Sequence, residues 1–201
     1  MSILAAQRWT SNAEMIADVA KLGYLEGLVL DCTYGMGTFW QVWCPDLLVG
    51  TDLDPAKSPD SAYGVDFTST HFNDGAFESV VFDPPYKLNG TPDPNVDTRY
   101  GVHIPSRWQA RHQLIRDGIS ECARITNHYV LLKCMDQVVS GKKRWQTIEF
   151  TNHAATVGLD LVDRFDFLVT PRPQPEGRRQ VHAQQNYSTL LVFSKRKASR
   201  P

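Results

Sequence analysis

The stretch FESVVFDPPYKLNG, residues 77–90, decides the fold of this chain of 201 residues. It contains an apolar run, SVVF, that is typical of a buried strand and that continues directly into an acid, two prolines and a tyrosine. A chain that needed only to turn could use Gly, Asn or Asp at this point. The acid and the two rigid prolines at a strand end therefore indicate a site with a function.

Three other apolar runs resemble this strand. They are LVLD (28–31), LLVGTD (47–52) and AYGVDF (62–67), and each ends in an acid or just beyond one. Short apolar runs separated by loops and short helical pieces are typical of parallel strands. Because the carboxyl ends of such strands line the ligand crevice, we expect Asp31, Asp52, Asp66 and Asp83 to point towards one site. Any one of these acids alone could instead cap a helix or form a turn.

The remaining periodicity completes an α/β pattern. Ser11 and Glu14 have capping-box spacing, which predicts a helix at about 12–22. Apolar spacing further predicts helices in RWQARHQLIRDGISECARI and RWQTIEFTNHAATVG, and strands in HYVLLKC, LDLVDRFDFLV and YSTLLVFSK. We therefore expect an α/β fold with a central, mostly parallel seven-stranded sheet that is flanked by helices and ends in an antiparallel hairpin.

Composition favours one domain over residues 1–201, with long polar loops at about 87–106 and 171–186 that we expect to be mobile. No apolar run reaches the roughly 18 residues that cross a bilayer, and the first residues lack the zones of a signal peptide. We therefore expect a soluble, cytoplasmic protein without membrane contact. The four cysteines have no C-x-x-C spacing, so we expect reduced, mostly buried thiols and no metal.

Charge is unevenly distributed along the chain. Residues 1–100 hold 5 Lys/Arg and 14 Asp/Glu, whereas residues 101–201 hold 16 and 8. A basic half could face a polyanion such as a nucleic acid, although mixed charged surfaces are also normal.

A glycine turn follows the first strand. Gly35 and Gly37 would let the backbone approach a ligand closely, but Trp40 stands where a dinucleotide fingerprint needs its third glycine. Asp52 could accept the hydroxyl hydrogens of a ribose, and Asp66 with Phe67 could contact an adenine. Ribose and adenine without a pyrophosphate cradle describe S-adenosylmethionine better than NAD, which disfavours a nicotinamide oxidoreductase.

The segments Asp31-Cys32-Thr33-Tyr34-Gly35-Met36-Gly37-Thr38, Asp52, Asp66-Phe67 and Asp83-Pro84-Pro85-Tyr86 together resemble the ordered motifs of amino-group methyltransferases of the DNA adenine-N6 type. The resemblance runs from about residue 9 to 195, with Cys32-Thr33 where the family commonly has Pro-Phe. It implies a Rossmann-like class I methyltransferase fold and S-adenosyl-L-methionine as cofactor. The implied cofactor-binding residues are Trp9, Asn12, Asp31, Thr33, Tyr34, Gly35, Gly37, Asp52, Leu53, Asp66 and Phe67.

By the same resemblance, the Asp-Pro-Pro-Tyr segment is catalytic. An exocyclic amine is a poor nucleophile, and two fixed acceptors can make its lone pair available. We expect the carboxylate of Asp83 and the backbone carbonyl of Pro84 to be these acceptors. Pro85 would keep the backbone rigid, and Tyr86 would stack on the target base.

We predict a nucleic-acid substrate, with DNA favoured over RNA. A base inside a duplex must be flipped out to reach such a site, and cations beside the two long loops could contact phosphates. The candidates are Arg99, Arg107, Arg111, Arg172, Arg178, Arg179 and His182. Cytosine N4 or an RNA base remains an alternative target, and a catalytically silent nucleic-acid-binding subunit is a second alternative.

Overall fold

The computed structural model describes residues 9–88, 108–168, 181–183 and 185–197. The two predicted loops lie largely outside these ranges, and Arg99, Arg107, Arg172, Arg178 and Arg179 lie outside them altogether. The helices are α1 (Asn12–Ala20), α2 (Trp108–Ile125) and α3 (Gln146–Thr156), with 3-10 turns at Thr38–Trp40 and Pro55–Lys57. The strands are β1 (Leu28–Asp31), β2 (Leu47–Gly50), β3 (Phe77–Phe82), β4 (Thr126–Cys134), β5 (Gln137–Val139), β6 (Lys142–Arg144), β7 (Leu159–Leu168) and β8 (Tyr187–Lys195).

Six strands form the central sheet in the order β2-β1-β3-β4-β8-β7. β1 pairs in parallel with β2 and β3, and β3 pairs in parallel with β4. β8 is antiparallel to both β4 and β7, which confirms the predicted hairpin at the end of a mostly parallel sheet. A separate small hairpin, β5 with β6, was not predicted from the sequence.

The seventh predicted strand, AYGVDF at 62–67, does not form, so this part of the prediction was wrong. The Val65 N–H donates to the Asp52 carbonyl at 2.8 Å. Directly afterwards the Asp66 carboxylate accepts the Thr68 N–H at 2.8 Å and the Thr68 hydroxyl at 2.7 Å. Such a local turn competes with a strand ladder, and the segment runs as a loop.

Each face of the sheet has its own core. On one face Leu30, Phe82 and Leu132 pack with α2 and α3. On the other, Val29, Val81 and Leu131 pack with α1 and the first 3-10 turn. Side chains alternate between the faces of a strand, so the residues two positions beyond the second set also face α1. These residues are Asp31, Asp83 and Lys133.

The predicted helices form with small differences at their ends. Ser11 caps α1 by accepting the Glu14 N–H at 3.2 Å, and the Glu14 carboxylate accepts the N–H of Thr10 at 2.7 Å. Three cysteine thiols, Cys32, Cys122 and Cys134, are buried and free, and Cys44 is exposed. No helix in the described ranges is long and apolar enough to cross a membrane.

Candidate active site

The Asp-Pro-Pro-Tyr segment leaves the sheet at the carboxyl end of β3. Although Asp83 as a whole is half-buried, its Oδ1 atom is buried and has no hydrogen-bond partner in the described structure. Burial raises the pKa of this carboxyl to about 6, and the positive charge of Lys133 acts in the opposite direction. A buried acceptor without a donor is costly, which is a common property of sites that receive a ligand.

Asp31 lies at the end of β1, on the same face. Its Oδ1 accepts the Thr33 N–H at 3.0 Å, and its Oδ2 accepts the indole N–H of Trp40 at 2.8 Å. Burial raises the pKa of this carboxyl to about 7, and the negative charge of Asp83 contributes to the rise. Two carboxyls that share a buried region favour protonation of one of them.

Thr33 connects these two acids. Its hydroxyl accepts the backbone N–H of Asp83 at 2.7 Å and donates to Asp31 Oδ1 at 3.4 Å. The glycine turn and the Asp-Pro-Pro-Tyr segment are therefore joined through one hydroxyl group, which the sequence did not indicate.

Lys133 lies beside Asp83 and was not among the residues predicted from the sequence. It lies on β4 beside β3 and is fully buried. Its ammonium donates to the side-chain oxygen of Asn12 and lies 5.8 Å from the ring centroid of Phe39 and 5.2 Å from that of Phe167. Burial lowers its pKa to about 8, while the negative charge of Asp83 acts in the opposite direction. A single lysine inside the apolar run HYVLLKC was the available signal, since buried lysines are rare.

Asp31, Asp83 and Lys133 are here named the charge cluster. With both carboxyls ionised, its net charge is negative by one unit. A buried excess of one negative charge favours the binding of a cation, because ion pairing offsets the cost of desolvation.

Three side chains hold the backbone of the Asp-Pro-Pro-Tyr segment, and we name them the loop clamp. Arg111 from α2 donates to the Pro85 carbonyl at 2.8 Å. Gln137 from β5 and Gln146 from α3 both donate to the Tyr86 carbonyl at 2.8 Å. Since these donors come from three elements, the segment is fixed from several directions.

The clamp includes one residue that the sequence placed among the phosphate contacts. Arg111 was expected to bind phosphate, but it is 8% exposed and donates to Pro85, so its side chain lies inside the protein. The Pro84 carbonyl also has a donor that was not expected, since it accepts the Tyr86 N–H at 2.6 Å. A carbonyl oxygen has two lone pairs, so one remains for a substrate.

The glycine turn has a left-handed backbone, with φ of 57° at Gly35 and 63° at Gly37. A Cβ atom at Gly37 would lie 2.7 Å from the Tyr34 hydroxyl oxygen, so only glycine fits against this ring. The Gly35 N–H donates to Asp52 Oδ2 at 3.0 Å, and the Asp54 N–H donates to Asp52 Oδ1 at 2.9 Å. Asp52 is thus fixed beside the turn.

Other predicted cofactor residues lie around this edge. Leu53 is exposed, and so is Asp66. Phe67 packs against Phe82 with ring centroids 4.9 Å apart. At the N-terminal side, Trp9 donates to the Asp18 carboxylate at 2.8 Å, and Asn12 accepts from Lys133.

His182 is the predicted phosphate contact that the structure describes at the surface. It is exposed, and its ring nitrogen lies 2.9 Å from the Gly141 carbonyl oxygen, at the turn of the small hairpin. Within the described ranges no group of three His, Cys, Asp or Glu side chains could hold a metal ion.

A shallow depression of about 600 Å³ lies elsewhere, between Tyr24, Tyr129 and Arg196. It shares no residue with the charge cluster or the loop clamp. We therefore assign the site from its chemistry rather than from the size of this depression.

No protein-family model and no curated protein matches the sequence. Solved structures match at low identity. A proposed methyltransferase from Bacillus halodurans C-125 is 14% identical over 92% of this chain and 100% of its own, with a TM-score of 0.58. The magnesium protoporphyrin IX methyltransferase of Synechocystis PCC 6803, with bound SAH, is 13% identical over 92% of this chain and 81% of its own, with a TM-score of 0.55.

A proposed DNA modification methylase from Thermus thermophilus is 14% identical over 65% of this chain, with a TM-score of 0.42. This chain covers 50% of that protein's length, and so low a score carries no argument. The two matches above 0.5 establish the architecture. The chain has the Rossmann-like fold of class I methyltransferases, and its described residues form six strands in the central sheet, one fewer than expected.

Proposed function

We propose that this protein is an S-adenosylmethionine-dependent methyltransferase that acts on the exocyclic amino group of a nucleobase, most specifically adenine N6 in DNA. The observation that carries the proposal is the buried, unpartnered Oδ1 of Asp83 at the carboxyl end of β3. An acceptor of this kind, followed by two prolines and an aromatic ring, suits an N–H donor on a planar ligand.

The charge cluster supports the choice of cofactor. When bound, S-adenosylmethionine supplies a methyl group on a positively charged sulfur. When both carboxyls are ionised the cluster lacks one positive charge, and a sulfonium on this face would balance it and favour that ionised form. Fold matches to methyltransferases, one with bound SAH, agree with this assignment.

Asp83 has two tasks in the proposed reaction. It first accepts one N–H of the target amine, while the Pro84 carbonyl accepts the other with its free lone pair. Bound S-adenosylmethionine would supply the methyl group to this nitrogen and leave as the neutral thioether, and the nitrogen would gain the positive charge. The carboxylate of Asp83 takes the proton that this nitrogen releases, so the product amine is neutral.

The proposed site holds one base and cannot act on a base that is stacked in a duplex. Tyr86 would contact the ring of a base that has been flipped out or that belongs to a single strand. The rigidity of the loop clamp supports this role, because a planar base needs a platform with a fixed position.

The test of the substrate is direct. Purified protein is incubated with S-adenosylmethionine carrying a tritiated methyl group and with unmethylated DNA or RNA, and the nucleosides are then analysed. We expect label in N6-methyldeoxyadenosine from DNA. Label only in N4-methylcytosine would overturn the adenine assignment, and label only from RNA would overturn the choice of DNA.

A second experiment tests the catalytic residue and the silent-subunit alternative together. Asp83→Ala should lose turnover, while calorimetry should still detect binding of S-adenosylmethionine. Substantial activity in Asp83→Ala would reject the catalytic assignment. Absence of cofactor binding in the unaltered protein would instead favour a silent nucleic-acid-binding subunit.

A further inference from the structure

Lys133 and Asp83 occupy adjacent positions at the ends of neighbouring strands. β3 and β4 run in parallel, with Phe82 beside Leu132. The next residues, Asp83 and Lys133, therefore lie on the opposite face of the sheet from Phe82 and Leu132. That face packs against α1, and Lys133 is fully buried there. A lysine at this depth does not extend its side chain to water, so its charge acts on the interior of the site.

The ammonium group is held at a fixed point. Asn12, the first residue of α1, accepts one of its three hydrogens, and the rings of Phe39 and Phe167 flank it. The partner that accepts this hydrogen bond is a neutral amide, so it does not neutralise the positive charge. The unpartnered Oδ1 of Asp83 is the complementary buried group.

We propose that Lys133 is a positioning residue whose fixed positive charge keeps Asp83 ionised inside the protein, so that Asp83 can accept the amine and later its proton. This inference rests on the function proposed above for Asp83. It adds a residue that none of the sequence motifs contains.

The directions of the pKa shifts of Asp83 and Lys133 support this assignment. Burial raises the pKa of Asp83 to about 6 and lowers that of Lys133 to about 8, and the charge of each group opposes the shift of the other. Between these values both groups are charged. Without Lys133, burial and the nearby carboxyl of Asp31 would act on Asp83 unopposed, and its protonated form would be favoured at neutral pH.

The elements that pack on Lys133 bring few other charges to it. β3 contributes Asp83, whose charge also acts on Asp31 at the end of β1, and β4 itself contributes the buried thiol of Cys134. α1 contributes the neutral amide of Asn12, and β8 pairs the neutral Leu190 with Lys133. The first 3-10 turn and β7 contribute aromatic rings. Asp83 is therefore the carboxyl whose ionisation Lys133 supports most directly.

The first test measures the pKa of Asp83 without any turnover. Protein with 13C-labelled aspartate is titrated by NMR, and the Asp83 signal is assigned by its loss in Asp83→Asn. We expect Lys133→Met to raise the pKa of Asp83 by about one unit or more, and Lys133→Arg to restore most of the original value. Lys195→Met is the matched control, because Lys195 donates to the carbonyls of Arg124 and Thr126 instead. An unchanged pKa in folded Lys133→Met would overturn the proposal.

A reciprocal measurement applies even if Lys133→Met does not fold. The 15N signal of the Lys133 ammonium is titrated in the unaltered protein and in Asp83→Asn, and its pKa should fall in the variant. An unchanged lysine pKa would contradict the coupling. Both titrations need no substrate, so they decide the role of Lys133 even if the methylation assay fails.

Once methylation is measurable, the rate provides a third result. In Lys133→Met the acid limb of the pH profile of kcat/KM should move to higher pH, in step with the NMR titration. A lower rate at every pH with an unmoved acid limb would mean that Lys133 has only a structural role.

Discussion

The hydroxyl of Thr33 offers the most direct test of how the site is assembled. Thr33→Val keeps the shape of the side chain and removes only the hydroxyl that accepts the Asp83 N–H at 2.7 Å. The Asp83 N–H would then lie unpaired next to the buried core. The same change removes the bond to Asp31 Oδ1 at 3.4 Å, which is weaker at that length.

The expected decrease in the free energy of unfolding follows from the unpaired N–H of Asp83. A buried donor left without a partner costs about 1–3 kcal/mol, so the free energy of unfolding should fall by that amount. If the unpaired N–H is instead relieved by movement of Asp83, the same energy would appear as a decrease of about 5- to 150-fold in kcat. Thr33→Ser retains the hydroxyl and loses one methyl group, which costs about 0.8 kcal/mol or less.

The assay compares urea unfolding of the unaltered protein, Thr33→Val and Thr33→Ser at pH 7, together with the methylation rate. We expect Thr33→Val to be clearly the most affected in stability, rate or both. Equal values for Thr33→Val and Thr33→Ser in both measurements would refute the idea that this hydroxyl links the glycine turn to the catalytic segment.

Three further predictions concern the surroundings of the site. Gly118→Ala should destabilise the protein by about 1–3 kcal/mol in urea unfolding, because a Cβ atom at this position would lie 2.4 Å from the Phe82 ring. A gain in stability from the higher helix propensity of alanine would contradict this prediction. Gln146→Ala should lower kcat by about 5-fold or more, because it removes a donor to the Tyr86 carbonyl. Gln113→Ala, on the exposed side of α2, should not lower kcat. Equal rates in the two variants would show that the loop clamp is redundant. The free energy of unfolding should fall by about 1 kcal/mol or more as the pH rises from 5 to 6. The two carboxyls of the charge cluster have pKa values of about 7 and about 6 in the folded state, so the folded state binds more protons in this pH range than the unfolded state does. A rise of the urea midpoint over this range would contradict the prediction.

Strand positions and acid placement were predictable from the sequence because both depend on local patterns. Apolar runs that end in Asp31 and Asp83 gave two parallel strands and the position of the site. The turn at Gly35 and Gly37 was also visible in the residue types, and in the structure both glycines have positive φ. Patterns of this kind are visible in a few consecutive residues.

The supporting residues were not predictable in the same way. Gln146 appears in the sequence as an ordinary residue of the first helical turn, and only the return of the chain brings it to Tyr86. Arg111 appears in the sequence as a surface cation, yet the packing of α2 on the sheet directs it inwards. The strand predicted at 62–67 failed because a turn at Asp66 outweighs its apolar pattern. In each case the deciding contact joins parts of the chain that are distant in sequence or competes with a local pattern.

The order β2-β1-β3-β4-β8-β7 means that residues before 89 form one contiguous half of the sheet and residues after 107 form the other. The seam between β3 and β4 therefore separates the acidic part of the chain from the basic part, and the two parts should attract each other during folding. Asp31 and Asp83 stand on one side of this seam, and Lys133 and the loop clamp stand on the other. Two fragments produced by cutting between 88 and 108 should thus each hold half of the candidate site, and the activity proposed above should return only when they reassociate.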